Sequence, residues 1–267
     1  MLAVGCLLAL PISQAPAADS YAIHHLPVRG DEQGVLVLCP GMNGDGAFFL
    51  EEEPWTGFAR EHGLGLIAIA FRSDPDGLYD PGNPRGYYYP DQGSGQALLD
   101  HIVRLYGRPL PITLYGFSGG AHFTSRFAEW VPDRVTAFAA YSAQFWDHPE
   151  RADPDAPPGI IACGDLDGVR WFPSFAYFYA GREHQRPWIW INLPETGHVR
   201  HGRFEAFVRS FFGSIHKKDK TWEKETVFAD VASLRTFNQP EAALHPALLS
   251  VFHKPALLSE WLHLHQP

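Results

Sequence analysis

Apolar positions along the chain fall into two regimes. Short, nearly unbroken apolar runs at Val35-Leu36-Val37-Leu38-Cys39, Leu64 to Phe71, Val135 to Tyr141 and Gly159-Ile160-Ile161-Ala162-Cys163 read as strands covered on both faces, the pattern of a parallel sheet. Tyr21 to Val28 reads as a first strand, another run ends at Gly116, and Pro187 to Asn192 is the last. Between them lie helix-compatible segments: Pro54 to His62 before Gly63, Gly95 to Tyr106, Ala121 to Trp130, Trp171 to Ala180 and Arg200 to Phe212. In the second of these, Ala97, Leu98, Ile102 and Leu105 make one apolar face. Strand and helix taking turns over this length predicts one α/β domain, a mostly parallel, doubly wound sheet flanked by helices.

The breaks between elements place the loops. The strand at 35–39 stops at Pro40-Gly41-Met42-Asn43-Gly44-Asp45-Gly46, and in such a sheet ligands bind outside the carboxyl ends of the strands. Residues 72–95 are rich in Pro, Gly, Asp and Tyr, and a loop this long is usually functional. Its Tyr87 and Tyr88, together with Phe145 and Trp146 after the strand at 135–141, are candidates to wall a substrate cleft. Aromatic packing over the sheet edge is the competing reading of the tyrosines. The connector from Pro149 to Pro158 is too short for a large helical lid, so an open site is expected.

Composition narrows the chemistry. A formal net charge of −9 argues against a nucleic-acid binder, because phosphate neutralisation needs a basic face. The one basic cluster, His216-Lys217-Lys218-Asp219-Lys220, reads as a solvated linker. Leu2 to Ile12 is apolar and precedes Ala15-Pro16-Ala17, which predicts a signal peptide over residues 1–18 and an exported, secreted or periplasmic chain, although no Lys or Arg precedes the apolar stretch. No other stretch is long and apolar enough to span a bilayer. Cys39 and Cys163 end different, non-adjacent strands and are expected as buried free thiols. No spacing of Cys or His suggests a metal site, and no cofactor is expected.

The candidate chemistry centres on Gly116-Phe117-Ser118-Gly119-Gly120, which stands between a strand and a helix. In that context G-x-S-x-G reads as a nucleophile elbow: the turn strains the serine, and residues two before and two after must lack a Cβ. The amide of Gly119 then points to where an oxyanion would form, and Met42, in the glycine-rich loop, is the candidate second donor, with Asn43 as its substitute.

With the elbow, two further segments complete a resemblance to the α/β-hydrolase superfamily over residues 21–213. Leu114 to Ala121 resembles its nucleophile segment, and the double glycine is similar to that of secreted esterases of the feruloyl esterase and polyhydroxyalkanoate depolymerase kind. Cys163-Gly164-Asp165-Leu166-Asp167 resembles the G-x-x-D after a strand, which implies Asp167 as the acid, with Asp165 the alternative. Thr196-Gly197-His198 resembles the G-H before the last helix, which implies His198 as the base. The order Ser, Asp, His is that of the fold. Many relatives begin the oxyanion loop with His-Gly where this chain has Pro40-Gly41.

The resemblance implies a serine hydrolase of carboxylic esters, with a small-molecule or polymer-derived ester as substrate. The alternatives are a serine peptidase or amidase, and a noncatalytic binding domain. A domain over residues 19–214 is expected. Residues 215–267 are expected to pack back on it through Phe228, Val231, Leu234, Leu257, Leu258, Trp261 and Leu262. Histidine is used freely elsewhere, at 24, 122, 148, 184 and 201.

Overall fold

A computed structural model describes residues 21–73, 86–147, 149, 156–216, 226–240 and 243–266. The expected signal peptide lies outside the described residues. A seven-stranded sheet runs in the order β1-β3-β2-β4-β5-β6-β7, with β1 (Tyr21–His25), β2 (Gly34–Cys39), β3 (Leu64–Phe71), β4 (Ile112–Phe117), β5 (Val135–Tyr141), β6 (Gly159–Gly164) and β7 (Trp188–Leu193). Only β1 runs antiparallel, against β3. The first strand stops at His25, short of the expected Val28.

The apolar runs are buried along their whole length because successive side chains feed two different cores. Leu36 and Leu38 of β2 face a layer made by α1 (Glu53–Glu61) and α5 (Gly202–His216), with Trp55, Phe207 and Phe211 among its fillers. Val35, Val37 and Cys39 face α2 (Ser94–Tyr106), α3 (Gly119–Trp130) and α4 (Gly168–Glu183). Cys39 and Cys163 are buried free thiols. α4 begins three residues before the expected Trp171, straight after Asp167, and carries Pro173 inside it. Gly168, Val169 and Pro173 are weak helix formers, so local propensity concealed its first turns.

From β2 the chain steps outward to β3 and then returns to the other side of β2 as β4. This reversal opens a crevice beyond the carboxyl ends of β2 and β4, and the loop at 40–46 and Ser118 lie there.

The C-terminal residues pack on the same core. β8 (Val227–Asp230), β9 (Thr236–Phe237) and β10 (Leu249–Phe252) form a second, antiparallel sheet, and α6 (Ala256–Leu264) follows. Val227, Ala229, Phe252, Leu257, Trp261 and Leu264 belong to the α5-side cluster. The solvated-linker reading fails at His216, and the rest of that cluster, 217–220, lies outside the described residues. His216 ends α5, and its Nε2 meets Thr113 Oγ1 at 2.8 Å. Burial pushes its pKa down to about 4, which keeps it a neutral hydrogen-bonding partner. No helix among the described residues is long and apolar enough to cross a membrane.

Candidate active site

β4 ends at Phe117 and α3 begins at Gly119, so Ser118 alone makes the turn. It does so at φ 55°, ψ −117°, a region that L residues rarely occupy. The flanking glycines are required by close approach: a Cβ on Gly116 would collide with the Gly120 carbonyl, and one on Gly120 with the Cys39 carbonyl. The serine is further pinned by its own amide, which donates to the Tyr141 carbonyl at 2.8 Å.

Three side chains from distant segments meet at this turn. His198 Nε2 lies 2.9 Å from Ser118 Oγ, and His198 Nδ1 lies 2.7 Å from Asp167 Oδ2. Asp167 is buried where β6 gives way to α4, and its Oδ1 also accepts from Arg170 at 3.0 Å. Asp165 is occupied elsewhere, because its Oδ1 accepts from the Thr196 amide at 3.3 Å, which fixes the loop carrying His198. The imidazole stacks on the Phe117 ring at 4.9 Å, and the Tyr141 hydroxyl donates to the Val199 carbonyl at 2.8 Å. Two residues on, Arg200 grips Glu52 through Nη1 and Nη2, both at 2.8 Å, and Glu205 through Nε at 2.7 Å and Nη2 at 2.8 Å. The Tyr115 hydroxyl donates to Glu205 Oε1 at 3.0 Å. Paired planar charges of this kind resist displacement, so the histidine loop is tied to α1 and α5. Nothing in the local sequence marked Phe117 or the clasp of Arg200 on Glu52, because those partners are far along the chain.

Gly119 also abuts the glycine-rich loop: a Cβ placed on it would sit 2.7 Å from the Met42 nitrogen and 2.6 Å from Met42 Cα. The first amides of a helix have no partner inside it, so the Gly119 amide is available at the mouth of α3. Asn43 sits at φ 56° and its Oδ1 accepts from the Ser73 amide at 2.8 Å; Ser73 Oγ in turn accepts from the Tyr87 amide at 3.1 Å.

These bonds correct the expected cleft wall. Tyr87 is only 2% exposed and supports the 42–43 loop from beneath. Tyr88 is also buried, with its hydroxyl 4.0 Å from Met42 Sδ and its ring on His122. Trp146 stacks on Tyr177 at 4.5 Å and donates to the Ala143 carbonyl at 3.1 Å. An aromatic ring with a polar tip is buried when that tip finds a partner, as those of Tyr88 and Trp146 do. Phe145 remains at the surface, 43% exposed. Positions 150–155 of the connector Pro149 to Pro158, on which the expected openness rests, and positions 74–85, half of the loop at 72–95, lie outside the described residues.

The other histidines differ in setting. His122 is buried and pushed down to about 3 by that burial, and its Nε2 accepts from the Gln144 amide at 3.2 Å. His201 Nδ1 accepts from the Phe204 amide at 3.2 Å at the start of α5, and His24 pairs with Asp45 at 2.9 Å. His148 lies outside the described residues. Cys163, behind Asp167, is raised to about 11 by burial and stays a thiol. Among the described residues no three His, Cys, Asp or Glu side chains cluster so as to hold a metal ion.

No family model matches the chain, and no curated protein sequence matches it. Its structure is similar to solved ones. The poly(3-hydroxybutyrate) depolymerase LpqC from Bordetella parapertussis superposes with a TM-score of 0.53 at 18% identity, over 74% of this chain and 87% of that one. Esterase PE8 gives 0.55 at 19% identity, over 73% and 99%. An acetyl xylan esterase from Aspergillus awamori gives 0.54 at 15% identity, over 71% and 94%. The protein has the α/β-hydrolase fold.

Proposed function

We propose that the protein is a serine hydrolase of carboxylic esters, working through an acyl-enzyme with Ser118 as nucleophile, His198 as general base and acid, and Asp167 as its orienting partner. The observation that carries this reading is the chain of contacts at 2.9 Å and 2.7 Å from Ser118 through His198 to Asp167, at a serine held in a strained turn. A hydroxyl is a poor nucleophile at neutral pH and needs a base within hydrogen-bond reach. The depolymerase and the two esterases of similar structure act on esters by name, which supports the choice of bond.

In this reading His198 Nδ1–H donates to Asp167, which leaves Nε2 free to accept the Ser118 proton as Oγ attacks the acyl carbon. The carbonyl electrons move onto oxygen, and the Gly119 and Met42 amides donate to that oxyanion. As the tetrahedral adduct collapses, the C–O bond to the alcohol breaks and His198 returns its proton to the leaving alkoxide. Water then attacks the acyl-enzyme, His198 takes its proton, and that proton goes back to Ser118 as the acid departs. Met42 is favoured over Asn43 as donor because its backbone nitrogen is the one that abuts Gly119. Asp167 is favoured over Asp165 because Asp165 is engaged with Thr196. Export of the chain past a signal peptide at residues 1–18 is part of the same proposal.

The test is labelling with a fluorophosphonate probe and mapping of the modified residue, alongside turnover of p-nitrophenyl esters. Modification at Ser118 with ester turnover is the expected result. An unmodified protein would sink the hydrolase reading in favour of a binding domain. Turnover of peptide amides without esters would replace the ester with an amide.

A further inference from the structure

Large apolar side chains left in solvent are not scattered over this protein. Among the described residues nine are exposed, of which Val28 and Val103 lie elsewhere and the rest follow the carboxyl ends of the strands that carry the candidate site. Several adjoin residues of the site or residues packed behind it. Met42 abuts Gly119, Leu166 precedes Asp167, and Val199 follows His198. Phe145 packs on His122, one turn beyond Ser118 on α3, with ring centroids 5.8 Å apart. Phe48 lies under the Arg200 guanidinium at 5.1 Å. The outer part is the most exposed: Leu166 at 67%, Val169 at 66% and Phe172 at 70%. Val169 and Phe172 are three apart and share a face of α4, and Leu166 stands on the turn that leads into it.

Single exposed hydrophobes are ordinary, but apolar side chains gathered around one point mark a surface that is covered in use. Here Met42, Leu166 and Val199 adjoin Gly119, Asp167 and His198, so the molecule that covers the collar is the one bearing the bond under attack. Its charge follows from the chain's own: at −9 the protein repels an anionic amphiphile, and the collar's side chains are uncharged.

Resting on the serine-esterase reading, we propose that this apolar collar is the substrate-contact surface, and that it selects neutral esters with an extended apolar body over short polar ones. Binding such an ester removes the collar and the substrate chain from water together, which a two-carbon acyl group is too small to do.

The experiment is a series of p-nitrophenyl esters from acetate through butyrate to octanoate, each kept below its aggregation limit, with fluorophosphonate labelling as a separate readout. The octanoate-to-acetate ratio of kcat/KM is expected to exceed about ten. In the combined variant Leu166→Ser, Val169→Ser, Phe172→Ser that ratio falls about tenfold, and in Val103→Ser, a control on α2, it does not move. A flat or falling length profile in protein that labels at Ser118 and turns over acetate would overturn the collar while leaving the esterase reading intact. Absence of labelling and of all ester turnover brings both down. The length series on the unaltered protein stands whether or not the variant folds. If the variant leaves the ratio unchanged and instead alters oligomeric state, the collar is a face for a second copy and the proposal fails.

Discussion

The carboxyl edge of the large sheet and its β7 flank solve opposite problems. At the carboxyl edge Asn43, Ser118, Ser142 and Glu195, each just past a strand, hold positive φ angles without being glycine. On the β7 flank no strand among the described residues pairs with its outer edge, so its outward backbone groups need other partners. The C-terminal segment supplies them from side chains: the Trp190 amide donates to Ser250 Oγ at 2.9 Å, the Trp190 carbonyl accepts from Trp261 Nε1 at 2.8 Å, and the Asn192 amide donates to His265 Nε2 at 3.3 Å. An unpaired edge invites other chains to add to it, and this segment covers it. One region keeps strained turns at the strand ends where a ligand can be met; the other closes outward backbone groups of Trp190 and Asn192 with side chains and buries large aromatic surface.

That contrast can be broken by mutation, beginning with the largest effect. Ser118→Gly is expected to abolish ester turnover, a loss of about 1000-fold or more, while raising stability by about 1 kcal/mol, since glycine accepts the positive φ. Urea unfolding checks it, and a lower midpoint would mean that the elbow is not strained. Trp261→Ala should do the reverse, costing about 3–5 kcal/mol by removing a fully buried ring and the cap on Trp190, with Ser118 still labelled in the folded fraction. Arg200→Met tests the link between the regions. It leaves Glu205 buried without its cation, so we expect about 2 kcal/mol of lost stability and a roughly tenfold fall in kcat with little change in KM. A Lys at the same position should restore only part of either, because it cannot grip two carboxylates.

The smallest effect is pH-dependent. His216 is neutral in the fold, with its pKa down at about 4, and takes up a proton on unfolding nearer the ordinary value of about 6.5. Its contribution is complete above pH 6.5 and is lost as pH falls towards 4, by about 2 kcal/mol at pH 5. His216→Gln should flatten that slope in urea midpoints measured from pH 7 to 5.

Much of this was legible from residue order. The strand-turn-helix around Ser118 is a local event, written in an apolar run, two glycines and a following helix, and the order of Asp167 and His198 along the chain matched it. The sequence left Tyr87 and Tyr88 open between cleft wall and packing and placed Trp146 at the cleft, because a surface aromatic and a buried one whose polar tip has found a partner look the same in one dimension. Phe117 stacked on His198, and Arg200 clasped between Glu52 and Glu205, left no trace in spacing.

Local chemistry therefore settled which segments become strands and helices, where the chain must bend sharply, and which hydroxyl is offered at the bend, since propensity, periodicity and steric exclusion act over a few neighbouring residues. The imidazole's distance from that hydroxyl, the choice between Asp165 and Asp167, the collar and the sealing of β7 were decided by folding. Each is a contact between side chains tens of residues apart, and such contacts exist only once the sheet has brought the ends of its strands together.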